Sequence, residues 1–523
     1  MPLALAVGLG LVVAAAQPSP RDAELVEVGD AAKSDAPAPA PQKRPSAEAT
    51  DADASAPSRG ETGESGESGD DGFDFDFGAM DDGFSSDAVD LGAGENAEGE
   101  GASKGAAEAK KTPTAEGDAA KAEKRKKVDL DKVFGGSLRL TGAYLHFDDE
   151  PYLFPTGDDG LGVAVGRVTV DADAGEHVSF EVNGFVDLTR SPLGSLSGAF
   201  SSAGQTASVY RTEYLGATFW ENGAMRGTVG LDRAAATFKA GPVKLDVGRL
   251  PINYSVTGLF APNDFYAPFS ATAVNRIYKP GVDAMRLSIA AGMLTTVDVV
   301  GVLGYDDDGV PSWARSSVLT RAGVVAGGFE WGALGGKVAE RWVVGGSTQG
   351  DAGPIGLRGE FHVGFPDADA DADLKDDEWA IHVRAAGGPN VSFAWHNTTL
   401  SLEYMYISDG AKTPSQYLGR TAAIFPDTVP FLARHYISPS FGLDVVPILR
   451  AATFALVNAN DGSGLAGGSL VYNVADESDF ILGLFVPWGA GLQGLQPSTG
   501  LPRVGSEYGL TPLVLYLESR VFF

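Results

Sequence analysis

The sequence predicts an all-β protein: a transmembrane antiparallel β-barrel of about 16–18 strands, preceded by a disordered N-terminal segment. Three observations carry this. Counting back in twos from the C-terminus puts Phe523, Val521, Ser519, Leu517, Leu515 and Leu513 on one face and Phe522, Arg520, Glu518 and Tyr516 on the other. That dyad suits lipid on one side and water on the other, over a length that spans a bilayer as a tilted strand. From about residue 135 onward, short alternating segments recur between polar or Gly/Pro/Asp turns. Finally, no apolar run of about 18 residues occurs outside the extreme N-terminus, so helical spans are excluded. The 69 glycines in 523 residues and a mean hydropathy near zero agree.

Taken in order, residues 1–16 read as a secretory signal, with an apolar core at 3–13 and the small-residue cleavage site Ala14, Ala15, Ala16. The first residues carry no Lys or Arg, so a few basic residues are expected upstream of this start. The chain has no Cys, which rules out disulfides, thiolate nucleophiles and cysteine metal sites.

Residues 17–127 are an acidic Ala/Pro/Gly-rich tether, too poor in large apolar side chains to offset the entropy of ordering. A flexible coil of that length spans roughly 60 Å. Residues 1–127 hold 13 basic and 26 acidic residues, and the rest of the chain carries −17 of the total −30, so nucleic-acid binding is not expected. Within the tether, Phe73, Phe75 and Phe77 alternate with Asp, and Phe84 closes a near-repeat. The stretch 70–84 reads either as a docking motif for a partner or as incidental low complexity. The basic run 121–127 reads as a contact for anionic head groups or cell-wall polymer, or as a solvated charge run.

The barrel is expected from 128 to 523. Val178, Phe180, Val182, Val186 and Leu188 oppose Glu181, Asn183 and Asp187, while Leu357, Phe361 and Phe365 oppose Arg358, Glu360 and His362. Ile381, Val383 and Ala385 oppose His382 and Arg384, and Leu400, Leu402, Tyr404 and Tyr406 oppose Ser401 and Glu403. The polar members Glu181, Asp187, Arg358, Glu360, His362, His382 and Arg384 are the expected lumen lining. Counting strands leaves a parity conflict. With both barrel ends on the short-turn side, the long segment 251–280 falls among the short turns unless 209–220 belongs to a loop.

That segment is Pro-rich and aromatic. Pro251, Pro262, Pro268 and Pro280 prevent strand pairing, while Phe260, Phe265, Tyr266 and Phe269 favour burial. It is expected to fold into the lumen and narrow it. Its edges, Gly248-Arg249 at a strand end and Lys279-Pro-Gly-Val-Asp283-Ala-Met-Arg286 at the return, resemble those of bacterial outer-membrane barrels of the porin-like and alginate-exporter-like type. The last strand resembles their closing strand. The resemblance covers about 40 residues plus that strand, and the loop reads Ala-Pro-Asn263-Asp264 instead of the usual Asn-Pro-x-Asp order.

The resemblance implies an integral outer-membrane channel for hydrophilic solutes or a secreted polysaccharide, with the tether in the periplasm. It places Arg249, Asn263, Asp264, Arg276, Lys279, Asp283 and Arg286 near a pore constriction, and makes Phe523 the signal read by the barrel-assembly machinery. The other reading of Asp283 and Arg286 is that they pair only to hold the loop. Of 26 basic residues after position 127, 19 are Arg, the better fixed partner for carboxylate or phosphate, which points to an anion-preferring lumen.

A non-conducting anchor or assembly component, with the tether docking a periplasmic partner, is the alternative. The loop 367–378 places Asp at positions 1, 3, 5 and 7 and Glu at 12 of a calcium-loop pattern. Ala372 stands where Gly is needed and Lys375 at a ligand position, so no metal or cofactor is assigned. No hydrolase, zincin or phosphate-loop motif is present, and His362 and His382 read as lining, so no enzymatic activity is expected.

Overall fold

The computed structural model describes residues 133–147, 157–191, 209–268, 278–306, 308–366, 381–417, 431–495 and 502–523. The signal, the tether with 70–84 and 121–127, the 367–378 loop, Phe269 and Arg276 lie outside them. The strands are β1 (Phe134–His146), β2 (Asp158–Asp173), β3 (Val178–Arg190), β4 (Gly216–Asn222), β5 (Met225–Ala240), β6 (Val243–Leu250), β7 (Val282–Ala290), β8 (Thr295–Val302), β9 (Ser317–Ala326), β10 (Phe329–Val338) and β11 (Arg341–Ala352). They continue as β12 (Ile355–Pro366), β13 (His382–Phe393), β14 (Thr398–Ile407), β15 (His435–Val446), β16 (Leu449–Asn458), β17 (Gly464–Ala475), β18 (Ser478–Trp488), β19 (Leu492–Leu495), β20 (Pro502–Val504) and β21 (Leu513–Phe522).

Nineteen strands share one antiparallel sheet, and β1 pairs with both β2 and β21, so the sheet closes on itself. β4 pairs only with β5, while β5 also pairs with β3 along its whole length and with β6 at its far half. β4 is therefore a hairpin arm standing off the wall, which leaves eighteen strands in the barrel. This settles the parity conflict: 209–220 belongs to the loop between β3 and β5, and 251–281 moves to the end that carries the long loops. Turns of two to four residues join the strands at the other end, as at 241–242 and 353–354. In bacterial outer-membrane barrels this asymmetry distinguishes the extracellular end, with long loops, from the periplasmic end, with short turns.

The alternation has the sense of a membrane barrel. On β21, Leu515, Leu517 and Val521 are exposed while Val514, Tyr516, Glu518 and Arg520 are buried. Exposed aromatic side chains ring both ends of the outer face: Phe180, Trp331 and Phe480 near the short turns, Tyr144, Trp342 and Trp488 near the long loops. Between them run Leu140, Val186, Leu482, Leu484 and Val344.

Inside, the wall changes character along its axis. Towards the short turns it is polar, with Ser137, Glu181, Asp298, Glu330, Gln349, Arg358 and Asn390 on inward positions. Towards the long loops it is apolar, and two buried clusters fill it. One joins Leu145, Val163, Val165, Phe485 and Tyr516 of the wall to Phe260, Phe431 and Tyr508 of the loops. The other joins Val300, Leu319 and Val343 to Ile252, Phe265 and Tyr266.

Many wall glycines are sites where a ring or a neighbouring backbone lies flat against the sheet. Tyr516 covers Gly483, Phe454 covers Gly467, and the terminal Phe523 covers Gly136. Gly136 and Phe523 also exchange two backbone hydrogen bonds, N–H to O at 2.7 and 3.0 Å, just below the β1–β21 ladder. A Cβ on Gly136 would run into the Phe523 ring and come within 2.8 Å of the Arg167 carbonyl, whereas one on Gly142 of the same strand meets nothing. Gly136→Val is expected to destabilise the barrel by about 1–3 kcal/mol through overpacking, and Gly142→Val to leave it unchanged. Thermal unfolding in detergent, followed by the gel-mobility shift of the closed barrel, checks both.

Candidate functional site

After Leu250 the chain leaves the wall because Pro251 cannot extend the ladder, and it then crosses the barrel interior instead of arching over it. Crossing exposes backbone N–H groups that no strand partner can reach, and two carboxylates from the far wall accept them. Glu360 of β12 accepts from the Val256 N–H at 2.8 Å and from the Ser255 and Thr257 hydroxyls at 2.6 and 2.7 Å. Glu403 of β14 accepts from three consecutive N–H groups, Gly258, Leu259 and Phe260, at 2.7, 2.9 and 3.1 Å. Gly258 is needed for this approach, since a Cβ there would stand 2.9 Å from a Glu403 carboxylate oxygen. Hydrogen bonds to a charged acceptor contribute about 1.5–3 kcal/mol each, so these six define where the segment lies.

Apolar packing completes the strap. The Phe260 ring meets Phe431 edge-on at 5.5 Å and Tyr436 at 6.3 Å. Phe265 lies 5.1 Å from the His362 ring, and Tyr266 packs on Tyr210 at 5.2 Å with its hydroxyl 2.9 Å from Ser317 Oγ. Between the two halves, the Asn263 amide donates to the Gly346 carbonyl at 3.3 Å, and its oxygen faces His362 Nδ1 at 3.3 Å.

The return limb is held by cations. Tyr278 is sandwiched between the guanidinium groups of Arg167 and Arg233, 3.6 and 4.2 Å from its ring centre. Arg233 also donates to the Lys279 carbonyl at 3.0 Å and to Glu181 at 3.0 Å. Lys279 forms a buried ion pair with Asp264, tying the outgoing limb to the return. Burial pushes the Lys279 ammonium below its usual range, and the Asp264 carboxylate opposes that shift. The Gly281 N–H then donates to the Asp232 carbonyl at 3.0 Å as the chain re-enters the wall.

The residues singled out in the sequence fall into three groups. Asn263, Asp264 and Lys279 sit on the strap itself. Arg249, Asp283 and Arg286 stand at its roots, on β6 and β7. There Arg249 grips Asp283 through two bonds of 2.7 and 3.1 Å, Asp283 accepts from the Thr212 N–H and the Tyr305 hydroxyl, and Arg286 pairs with Asp246 at 2.9 Å. Arg249 and Asp283 are directly opposed in the β6–β7 ladder, as are Asp246 and Arg286, so each of these charges meets an opposite charge on the neighbouring strand. Arg276 lies outside the described residues.

Among the lining residues, Glu181 pairs with Arg233, Asp187 accepts from Thr189 at 2.5 Å, and Arg384 lies 3.6 Å from Asp409. Glu360, His362 and His382 are buried beside the strap, and the two imidazole rings meet edge-on at 5.7 Å. Arg358 faces the polar half of the inner wall. Sequence reasoning missed Glu403, Ser255, Thr257, Arg167, Arg233 and Tyr278 as parts of one device. Among the described residues, no three His, Asp or Glu side chains are grouped to hold a metal ion.

No protein-family model matches the sequence, and no curated protein matches it. Solved structures similar to this chain include OccAB4 of Acinetobacter baumannii, at 12% identity and a TM-score of 0.42 over 75% of this chain and 98% of that one. The outer membrane protein opdK of Pseudomonas aeruginosa is similar at 11% identity and 0.44, over 75% and 99%. OccK2 (OpdF) of Pseudomonas aeruginosa, solved in complex with glucuronate, is similar at 10% and 0.45, over 75% and 96%.

Glu403→Gln removes the charge that three N–H groups share and turns one acceptor oxygen into a donor. The strap is expected to lose on the order of 2 kcal/mol of local stability, which raises amide exchange at 258–260 about 30-fold. Hydrogen-exchange mass spectrometry of that peptide, against an unchanged wall peptide such as 513–522, checks it.

Proposed function

We propose that the protein is an outer-membrane channel through which small hydrophilic solutes diffuse, narrowed by the strap at 251–267. The observation that supports this best is the pinning of the strap by Glu360 and Glu403. A loop inside a barrel that served only as an anchor would need no fixed position, whereas a solute filter must hold one shape. The polar inner wall on the short-turn side supplies a wet vestibule. A secreted polysaccharide chain, the other cargo considered, would require the strap and the packed loops to move out of the way, and that favours small solutes.

Selectivity follows from the paired charges. Because Arg249, Arg286, Arg321 and Arg233 each meet a carboxylate on their own side of the wall, the lumen offers alternating dipoles more than a net positive field. A preference for anions is therefore expected to be small, within a few-fold.

Single-channel recording in planar bilayers tests the proposal. The full chain is expected to conduct, and Glu360→Gln with Glu403→Gln to raise the mean conductance and add rapid current noise as the strap loosens. A wild-type barrel that inserts but passes no current would leave the anchor reading, and a conducting protein indifferent to both substitutions would remove the strap from the conduction path.

A further inference from the structure

β4 is not one of the eighteen wall strands, yet it takes a place along the sheet that a wall strand leaves empty. β6 pairs with residues 234–240 of β5 and stops at Leu250, while β4 pairs with residues 225–230 of β5, so the two lie end to end along that strand. β6, β7 and β8 have eight, nine and eight residues, at or below the roughly 9–11 that a tilted strand needs to cross hydrocarbon. Short turns fix the other ends of these strands, so the wall of this sector falls short at the long-loop end. The segment before β4 and β4 itself stand where the missing length would be. The Tyr210 carbonyl accepts from the Asp283 N–H of β7 at 3.0 Å, and the Val209 carbonyl from the Tyr305 N–H at 2.7 Å.

The register fixes which way the side chains of this arm point. Ala217 and Trp220 stand opposite Val229 and Gly227, which pair in turn with Val186 and Leu188 of the exposed outer face. Thr218 and Glu221 stand opposite Thr228 and Arg226, which pair with Asp187 and Thr189 of the inner face. Phe219 is the extra residue of a β-bulge and opposes no residue of β5. Its ring lies over Gly227 beside Leu188: a Cβ on Gly227 would stand 2.7 Å from the ring and 3.2 Å from the Leu188 side chain. The bulge therefore aims two consecutive aromatic side chains at the outer face. Phe219 is 55% exposed and Trp220 41%. The inner side of the arm is polar and bonds to itself, Arg226 donating to the Thr218 hydroxyl at 3.1 Å.

We propose that the outer face of β4 docks on lipid, at the boundary between head groups and acyl chains on the long-loop side, and completes the lipid-facing surface above β6. The patch is continuous with an interface already present, because Phe219 and Leu188 share the space over Gly227 and Ala217 lies in line with Val229 and Val186. Aromatic side chains favour that boundary, where an apolar ring meets a polar surface. The charged pair of the arm, Glu221 and Arg226, lies on the side turned away from it. In water, a bulge that turned Phe219 outward would disturb the ladder and bury nothing; against lipid, the ring that it exposes is the favoured group.

The chain has no Cys, so a single introduced thiol can be labelled alone. The full chain carrying a bimane label at Trp220→Cys, or at Ala217→Cys if the first variant does not fold, is reconstituted in phosphatidylcholine vesicles. Glu221→Cys reports the opposite face of the arm, and Leu482→Cys, on the wall between the aromatic girdles, reports the hydrocarbon. Quenching is measured with lipids bearing a nitroxide near the head group or deep in the chain, and with iodide on both sides of the membrane. The label at position 220 is expected to be quenched about twofold more by the shallow nitroxide than by the deep one, and little by iodide. At position 221 iodide is expected to dominate, and at position 482 the deep nitroxide. Iodide quenching at 220 equal to that at 221 would put the arm in water and overturn the proposal. Shielding at 220 from lipid and iodide alike would put it against protein, a second copy of this chain if oxidation also links two chains there, and would overturn it too. None of these readouts needs current to flow, so the docking of the arm and the channel reading stand or fall separately.

Discussion

Everything in this barrel follows from backbone hydrogen bonding in a medium that offers none. In hydrocarbon an unpaired N–H or carbonyl costs several kcal/mol, so a sheet that crosses it must close. Closure happens between β1 and β21, where Ser137 faces Phe522 and His146 faces Leu513 in an unbroken register. A slip of one residue would turn Leu515, Leu517 and Val521 into the lumen and put Tyr516, Glu518 and Arg520 into lipid. The penalty for the wrong register is thus carried by three charged or polar side chains at once, and the Phe523 ring on Gly136 adds a steric check at the last position.

Closure creates a second problem, an interior too wide for side chains alone to fill. The chain answers it differently at the two ends. Near the short turns the inner wall is polar and needs only water. Near the long loops Leu145, Val163, Val165, Phe485 and Val514 point inward, and leaving that apolar inner wall wet would be unfavourable. The loops therefore fold in, and their aromatic side chains become the core of a membrane protein whose outer face has none. The hydrogen bonds that Glu507 accepts from Leu432, Tyr436 and Asn458 and the strap across the lumen are the polar fastenings of that inner core.

How much of this was legible depended on the range of the interaction. Alternation is local, so the faces of β3, β12, β13, β14 and β21 could be read by counting in twos. The segment around Phe219 and Trp220 reads as a strand and pairs with β5, yet all of β4 is exposed and it lies off the wall, because β6 is the strand that carries the sheet on from β5. Pro251, Pro262 and Pro280 announced a loop that could not be a strand, and its aromatic residues announced burial. What they could not announce was the partner. Glu403 was visible only as one polar position among aromatic ones, and the N–H groups that it accepts lie more than 140 residues earlier. Likewise the sequence offered pairing of Asp283 and Arg286 as one of two readings but could not name the partners, Arg249 and Asp246, that the β6–β7 register places opposite them.

Two kinds of charge burial coexist here, and the difference between them has consequences for what can move. At the roots, guanidinium and carboxylate sit on adjacent strands, so their attraction is satisfied between β6 and β7, and the loop residues Thr212 and Tyr305 bond to a pair that is already formed. Where Glu360 and Glu403 hold the strap and Glu507 holds the long loops, the carboxylates accept from neutral donors, and most of those donors belong to the segments being held. Withdrawing such a segment strips the carboxylate of its partners and the segment of its acceptor in the same step. The position of the strap instead rests on the hydrogen bonds that two wall carboxylates, Glu360 and Glu403, accept from it. A barrel built in this way separates the part that must never open from the parts that can.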